Sequence, residues 1–398
     1  METALLRVMA DIFAAADGQR VTLLGLLDLS AAFDCVDHDI LIQQLQSSFG
    51  IGGSALAWVS SFLGGRTQQV CYNGCLSVIS CLLFGVPQGS VLGPLLYLLY
   101  TADVFDIIVD CGLVGHSYAD DTQVYISVSA ADESVAMQRL AACVERIDQW
   151  MGSNRLKLNQ DKTQMIWVGT RQQLSKVSAT ELVLSSAVVR FSTAVSDLGV
   201  LIDSQLTLSD HVASVCRSCF FQLRQLRLVR GSLTSDSVNT LVHAFISSRL
   251  DYCNSLLVGV SGDLLNRLQS VQNAAARMVT GTRKYDHITP VLRGLHWLPI
   301  RQRVVYKVAM LVYKCLHGVA PSYLTEFCRP VSTIPGRCHL RSADTGVLFT
   351  PCTKTSIGQR SFAVSGPATW NNLPSELRLY EHSATSFAKR LKSYLFNN

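Results

Sequence analysis

The chain has 398 residues, of which 48% are hydrophobic and 16% charged, a composition that describes a folded protein and excludes a disordered one. Its formal net charge of +5 identifies no partner, but residues 1–205 carry 11 Lys+Arg and 20 Asp+Glu, and the remainder carries 23 and 9. This division is consistent with a first half that holds cations and a second half that contacts a polyanion. A surface charge distribution that has no functional role would explain this division equally well.

The 13 cysteines are scattered and lie mostly in apolar runs, which predicts buried thiols in a reducing compartment. The one CxxC, at Cys216 and Cys219, lacks a second ligand pair, so the sequence does not favour zinc there. Charged residues interrupt the amino terminus, so no signal peptide is expected. The uncharged span Leu82–Tyr100 contains prolines and glycines, and we predict no membrane segment.

In chain order, the first predicted element is a strand at Val21–Leu29, whose continuous apolar run indicates burial on both faces. Asp28 lies at its end, where a carboxylate is costly unless a cation neutralises it. The alternative is that Asp28 caps the helix predicted next. Asp34, Asp37 and Asp39 fit that capping role better.

A hairpin through Asn73–Gly74 is predicted next, and then the segment FGVPQGSVLGPLLYLLY. Its Gly- and Pro-rich turn leads into a buried helix from Leu95 onward. The segment is not a P-loop, because no Gly-Lys-Ser/Thr follows at the required spacing. Such a turn allows the backbone to approach a ligand closely.

The segment GHSYADDTQVYISV predicts two strands joined by a tight turn at Ala119–Asp120–Asp121. Adjacent carboxylates at a hairpin tip repel each other unless a cation neutralises them. A solvated hairpin tip would tolerate the same pair without any function. The motif alone therefore leaves both interpretations open.

The remaining predicted elements are mostly helical. Ser129 and Asp132 resemble a capping box before a helix whose apolar positions include Leu140 and Ile147. A strand at MIWVG and a strand pair ending at Leu198–Asp203 follow. From His211 the sequence predicts helices in RSCFFQLRQLRLVR, which Gly231 closes, in NRLQSVQNAAARMVTG and in RVVYKVAMLVYKCLHG.

Five segments occur in order over about 180 residues: LLDLSAAFDCVDHDIL, GVPQGSVLGPLLYLLY, YADDTQVY, LKLNQDKTQ and LGVLID. Together they resemble the successive palm motifs of reverse transcriptases from non-LTR (LINE-type) retrotransposons, and the basic tail resembles the segment that follows the polymerase in animal elements. The resemblance implies an α+β fold, with an antiparallel palm sheet backed by helices. It places a reverse transcriptase domain at 1–205, a helical thumb-like region at 206–320 and a retrotransposon tail at 321–398.

The resemblance also assigns a catalytic metal site to the carboxylates of Asp28, Asp120 and Asp121, with the backbone carbonyl of Leu29 as a further ligand. Oxygen ligands favour Mg²⁺, or Mn²⁺, over zinc. Lys162 matches the residue that supplies a general acid to pyrophosphate. A solvated lysine is the alternative interpretation.

The resemblance assigns nucleotide contacts to Phe33, Gln88, Gly89 and Tyr118. The ring of Phe33 would clash with a 2′-hydroxyl and so select deoxynucleotides, or it packs within a helix without such a role. The basic second half would grip the phosphates of an RNA–DNA duplex. The residues expected to do so are Arg217, Arg224 and Arg227.

The activity implied is RNA-directed DNA polymerisation, with an RNA template, a DNA primer and dNTPs as partners. The alternative is an inactive nucleic-acid-binding remnant. Only about 20 residues precede the first strand. We therefore expect a 5′-truncated element without the endonuclease and most of the fingers, and with weak or absent activity. An intracellular and, from the family's chromosomal targets, nuclear location is expected; the sequence defines no oligomeric state.

Overall fold

The computed structural model describes residues 1–159, 161–184, 188–336, 345–378 and 383–397. Its strands are β1 (Val21–Leu27), β2 (Thr67–Gln68), β3 (Cys71–Tyr72), β4 (Cys75–Leu76), β5 (Ser80–Cys81), β6 (Val114–Tyr118), β7 (Asp121–Val128), β8 (Gln164–Val168), β9 (Glu181–Val183), β10 (Val188–Arg190), β11 (Ala194–Asp197) and β12 (Val200–Asp203). Its helices are α1 (Glu2–Asp17), α2 (His38–Ser47), α3 (Gly53–Leu63), α4 (Gly93–Tyr100), α5 (Val104–Asp110), α6 (Glu133–Ser153), α7 (Arg171–Leu174), α8 (Ser209–Val229), α9 (Ser235–Val242), α10 (Ser248–Asp251), α11 (Gly262–Thr280), α12 (Ile288–Gly294), α13 (Ile300–Leu316), α14 (Ser322–Thr325), α15 (Phe362–Asn371), α16 (Ser375–Arg378) and α17 (Ala384–Asn397).

The chain forms two compact units. The sheet unit comprises Thr22–Trp167 and Ser175–Ser192. The helical unit comprises Met1–Val21, Val168–Leu174 and Thr193–Asn398. The division into a reverse transcriptase domain at 1–205, a thumb-like region at 206–320 and a tail at 321–398 assigns functions to these segments, and it stays a prediction.

The sheet unit is built on a four-stranded sheet in the order β6-β7-β1-β8, in which β6 and β7 are antiparallel. The sequence prediction of a buried first strand is confirmed, since Leu23 and Leu24 are fully buried. Helix α6 packs against β7 through an apolar stripe that includes Leu140 and Ile147. The unit is therefore α+β, as predicted.

Two predictions about helix starts in this unit differ in outcome. Asp37 caps α2, because its Oδ1 accepts hydrogen bonds from the backbone N–H groups of Asp39 and Ile40 at 3.0 and 3.1 Å. The capping box at Ser129 is wrong. A 3₁₀ turn at Ala130–Asp132 precedes α6, and the Ser129 hydroxyl instead donates to the Asp132 carboxylate at 2.7 Å.

The hairpin through Asn73–Gly74 is confirmed, since Tyr72 pairs with Cys75 and both turn residues have positive φ, +48° and +78°. This is the backbone that a type I′ turn needs, and Asn-Gly adopts it readily.

The helical unit contains the three long helices that the sequence predicts, here α8, α11 and α13. Helix α8 packs against α11, and α13 packs against α15 and α17. Gly281 ends α11 in a left-handed conformation with φ of +72°. The predicted stop at Gly231 is wrong, because α8 ends at Val229 and a 3₁₀ turn follows. In the described part of the chain, no helix combines the length and the apolar character that crossing a bilayer demands.

Gly85 is the glycine for which substitution is expected to cost most in the sheet unit. Its φ is +90°, and an added Cβ would lie 2.9 Å from the carbonyl oxygen of Asp34, which is backbone and cannot move aside. We predict that Gly85→Ala destabilises the unit by about 1–3 kcal/mol, since a left-handed conformation and a backbone overlap both contribute.

The matched control is Gly89→Ala, because Gly89 also has positive φ, +76°, but open space around its Cα. Urea unfolding followed by circular dichroism measures both. Equal losses of stability in the two variants would contradict the role assigned to the Gly85 contact.

Candidate active site

Asp28 follows β1 directly, and a second segment holds its backbone in place. Asn159 N–H donates to the Asp28 carbonyl at 2.8 Å, and Ser30 N–H donates to the Lys157 carbonyl at 3.0 Å. The same segment continues to Lys162, whose Nζ lies 3.0 Å from Asp28 Oδ2. The Asp28 side chain is only 22% exposed, so this ammonium is a close neutralising charge for a half-buried carboxylate.

The hairpin of β6 and β7 presents the other two carboxylates. Its last paired residues are Tyr118 and Asp121, so Ala119 and Asp120 form the turn. Ala119 has φ of +57°, a strained conformation for a residue with a Cβ. Because β7 neighbours β1 in the sheet, the turn leads into a strand beside the one that ends one residue before Asp28.

The pKa of Asp121 shows that these charges act on one another. Burial raises this pKa, the carboxylates of Asp120 and Asp28 raise it further, and the Lys162 ammonium lowers it. Three acidic side chains and one lysine therefore form one electrostatic cluster. Additional positive charge in this cluster would relieve the repulsion.

Tyr97 on α4 belongs to the same neighbourhood. Burial raises the pKa of its phenol, and the charge of Asp120 raises it further. Its Oη is buried and has no hydrogen-bond partner among the described residues. A buried hydroxyl without a partner is costly, so a polar ligand nearby would stabilise it.

The donor chemistry of the cluster suits a hard divalent cation. The carboxylates of Asp28, Asp120 and Asp121 offer only oxygen ligands, which Mg²⁺ and Mn²⁺ prefer. As arranged, no three His, Cys, Asp or Glu side chains among the described residues are grouped closely enough to bind a metal ion. The fit to such an ion is one of chemistry, because the charges of Asp120 and Asp28 raise the pKa of Asp121 and a bound cation would relieve that repulsion.

The segment after Asp28 also meets the Gly- and Pro-rich turn. Gly85 N–H donates to the Val36 carbonyl at 2.7 Å, and Val86 N–H donates to the Phe33 carbonyl at 2.8 Å. The Gln88 amide donates to Asp34 Oδ1 at 3.1 Å. Phe33 and Gln88, two of the predicted nucleotide contacts, are therefore brought to adjoining segments.

Phe33 lies in a 3₁₀ turn, and its ring packs against that of Tyr97 with centroids 4.6 Å apart. Gly89 and Tyr118 are exposed, the latter at 39%. Among the described residues, neither Gly89 nor Tyr118 forms a hydrogen bond with Phe33 or Gln88. Their roles stay predictions.

Sequence reasoning missed Tyr97 and the part that Asp34 plays. The local sequence indicates only a helix cap for Asp34, but its carboxylate accepts a hydrogen bond from the Gln88 amide. Tyr97 carried no signal beyond its place in an apolar helix following the turn. Neither role can be inferred from the neighbouring residues, because the partners of Tyr97 and Asp34 are distant in the sequence.

The arginines predicted to bind nucleic acid lie on α8 in the helical unit. Arg217, Arg224 and Arg227 are all exposed. Arg227 also lines a groove of about 690 Å³ with three further basic residues, and none of the described residues that line this groove is acidic. These are Arg230, Arg277 and Lys284.

Residues 5–196 match the family described as reverse transcriptase (RNA-dependent DNA polymerase). This part of the chain is therefore a reverse transcriptase domain. Its curated relatives are RNA-directed DNA polymerases of transposons and mobile elements.

The chain is 27% identical over 311 residues to a probable RNA-directed DNA polymerase from transposon BS of Drosophila melanogaster, which covers 75% of this chain and 33% of that protein. It is 28% identical over 297 residues to a probable RNA-directed DNA polymerase from transposon X-element of the same species. The alignment covers 73% of this chain and 32% of that protein. The polymerase of the mobile element jockey, also from this fly, is 25% identical over 298 residues, covering 73% and 32%. The chain thus spans about a third of the length of the curated relatives it matches.

Among solved structures, telomerase from Candida albicans with a fragment of telomeric RNA matches 77% of this chain and 50% of that chain. The identity is 13% and the TM-score 0.32, a likeness too distant to support an argument.

Proposed function

We propose that this chain catalyses RNA-directed DNA synthesis, with Asp28, Asp120 and Asp121 holding two divalent cations, Mg²⁺ or Mn²⁺. The observation that supports this most is the placement of the Asp120–Asp121 turn on a strand beside the one that precedes Asp28, near enough for Asp120 and Asp28 to raise the pKa of Asp121. Carboxylates on a hairpin tip with a purely structural role would have no reason to lie within electrostatic range of a third one that follows a buried strand. The Leu29 carbonyl, next to Asp28, is the proposed additional ligand.

When bound, the cations supply Lewis-acid charge for the primer 3′-hydroxyl and for the triphosphate. The protein contributes by holding the carboxylate oxygens of the three aspartates near one another at one end of the sheet. The backbone bonds from Asn159 and Ser30 fix the strand end at Asp28, and the short turn fixes Asp120 beside Asp121. Such fixed groups lower the cost of organising charge during the reaction.

Phe33 is proposed to select deoxynucleotides. Its ring is braced by Tyr97 at 4.6 Å, which limits the movement available to admit a 2′-hydroxyl. Gln88, held by Asp34, is proposed to contact the incoming nucleotide, with Gly89 and Tyr118 close to the same substrate. The proposed partners are an RNA template, a DNA primer and dNTPs.

Lys162 is proposed to protonate the departing pyrophosphate. Its ammonium pairs with Asp28 here, and release from that pair would let it turn to the phosphates. Lys162→Ala is expected to lower kcat by about 10²-fold, the lower end of general-acid contributions, with little change in KM for dNTPs. Single-turnover incorporation on a primed RNA template measures this.

Lys157→Ala is the matched control, since Lys157 is an exposed lysine of the same polar segment. Lys162→Arg, which keeps the charge, should recover part of the rate. Unchanged kcat in Lys162→Ala would remove Lys162 from the mechanism and leave it as a structural partner of Asp28.

The proposed function is tested by calorimetric titration of the full chain with dTTP in Mg²⁺, in Mn²⁺ and in EDTA. Binding should require the cation and be lost in the double variant Asp120→Asn with Asp121→Asn. Asp39→Asn, an exposed carboxylate in the first turn of α2, serves as the control. Cation-independent binding that survives the double variant would contradict the proposed site and favour an inactive remnant.

A further inference from the structure

The helical unit contains a cavity of about 450 Å³ formed by the segment after α9, by α13 and by α17. This volume lies within the range of about 300–1,000 Å³ that small-molecule sites occupy. Two unusual backbone features border it. His243 begins a π-helical turn that extends to Ser247, and His296 has φ of +56°. Both features occur preferentially at functional sites.

One part of the cavity wall is aromatic and apolar. Trp297 is 5% exposed, and its ring meets that of His243 edge to face at a centroid distance of 5.3 Å. Tyr306 and Leu298 line the same cavity. Tyr306 is a ring of this wall that is only partly buried, and a flat ring of this kind accepts another aromatic ring by stacking.

A second part of the wall offers hydrogen-bond acceptors. Asn254 is 3% exposed, and its Oδ1 has no hydrogen-bond partner among the described residues. Asp251 lies beside it, and Arg303 Nη1 donates to both carboxylate oxygens at 2.9 and 2.8 Å. A buried acceptor without a donor is costly, and an N–H group on a ligand would satisfy it.

A third part of the wall is cationic. The charge of Arg303 is matched by Asp251, and Lys307 Nζ lies 3.1 Å from Glu2 Oε2. Lys392 on α17 also lines the cavity and forms no ion pair with any residue that the structure describes. Its ammonium is therefore available to an anion.

We infer that this cavity binds a single nucleotide. The base stacks on Tyr306, a base N–H donates to the Asn254 side chain, and the phosphate meets Lys392. A nucleotide is the ligand class that joins a flat ring, N–H donors on its edge and an anion. The same chemistry comes from a free nucleotide or from a base splayed out of single-stranded RNA.

This site is separate from the proposed polymerase chemistry, because the carboxylates Asp28, Asp120 and Asp121 belong to the other unit. The test is calorimetric titration of the full chain, in EDTA, with the four ribonucleoside monophosphates, inorganic phosphate and a single-stranded RNA pentamer. At least one monophosphate should bind and phosphate alone should not. Binding should persist in Asp120→Asn with Asp121→Asn, so failure of the polymerase proposal leaves this result unaffected.

Lys392→Ala and Tyr306→Leu should each weaken nucleotide binding by about tenfold, the loss of one good contact. Lys389→Ala, an exposed lysine one turn away on α17, should leave it unchanged. Circular dichroism establishes that each variant is folded. Tighter binding of the pentamer would identify an RNA base as the occupant, and tighter binding of a monophosphate would identify a free nucleotide.

Absence of binding to every monophosphate and to the pentamer would overturn the inference. So would binding that is equally strong in the wild type, in Lys392→Ala and in Tyr306→Leu.

Discussion

Asp121→Asn is expected to lower nucleotide incorporation by about 10²–10³-fold and, at the same time, to raise the stability of the folded protein at pH 7. The loss of activity follows because the variant removes one of the fixed negative groups that the reaction needs. The gain in stability follows because burial and the charges of Asp120 and Asp28 oppose ionisation of Asp121. A site kept for chemistry commonly shows this opposition between activity and stability.

The pH dependence of that stability has a definite sign. The pKa of Asp121 is raised above its ordinary value of 3.8, so the folded protein binds this proton more tightly than the unfolded chain does. The contribution of Asp121 to the stability of the folded protein should therefore fall as the pH rises from 3.8 through the raised pKa, and it should be absent in Asp121→Asn. Thermal unfolding in EDTA between pH 4 and pH 7 measures the difference between the two proteins.

Adding Mg²⁺ at pH 7 should raise the melting temperature of the wild type and have little effect on Asp121→Asn, because only an ion bound to the folded state stabilises it. Asp39→Asn again provides a matched carboxylate outside the cluster. A variant that is less stable than the wild type at pH 7 would contradict the assigned repulsion.

Replacing Arg217, Arg224 and Arg227 together with Ala is expected to weaken binding to an RNA–DNA primer-template strongly at low salt. Each phosphate contact contributes about 0.9 to the slope of log affinity against log salt, so the slope should decrease by about 2–3. Helix α8 also exposes Phe221 at 54% beside these cations, and exposed rings next to basic groups suit stacking on bases. Fluorescence anisotropy of a labelled duplex at several salt concentrations measures both quantities.

A charge-matched control removes three exposed basic residues from other helices of the same unit. These are Arg301, Lys314 and Lys389. The control should keep most of the affinity and most of the slope. If both triple variants lose affinity equally, net charge rather than the surface of α8 accounts for binding.

The sequence predicted the parts of the site that depend on local pattern. The apolar run before Asp28 and the strand–turn–strand pattern around Asp120 each determine their own element, because side-chain alternation and turn residues act over a few positions. Both elements are confirmed. The motif order also led to the reverse transcriptase family, which the comparisons confirm.

The contacts that complete the site were not predictable in the same way. Lys162 and Asp28 form an ion pair although 134 positions separate them in the sequence, and Gln88 and Asp34 are hydrogen-bonded although they are 54 positions apart. Tyr97 meets Phe33 only after both segments fold. Such pairings depend on the three-dimensional arrangement of the sheet unit, and no periodicity or composition encodes them.

The most direct test of the account is primer extension by the full chain on an RNA template, with dNTPs in Mg²⁺ and separately in Mn²⁺. We expect weak, cation-dependent extension that disappears in the double variant Asp120→Asn with Asp121→Asn, while that variant still binds the primer-template. Extension that survives in the folded double variant, or its absence from a folded wild type that binds the same duplex, would contradict the proposal that Asp28, Asp120 and Asp121 form a working polymerase site.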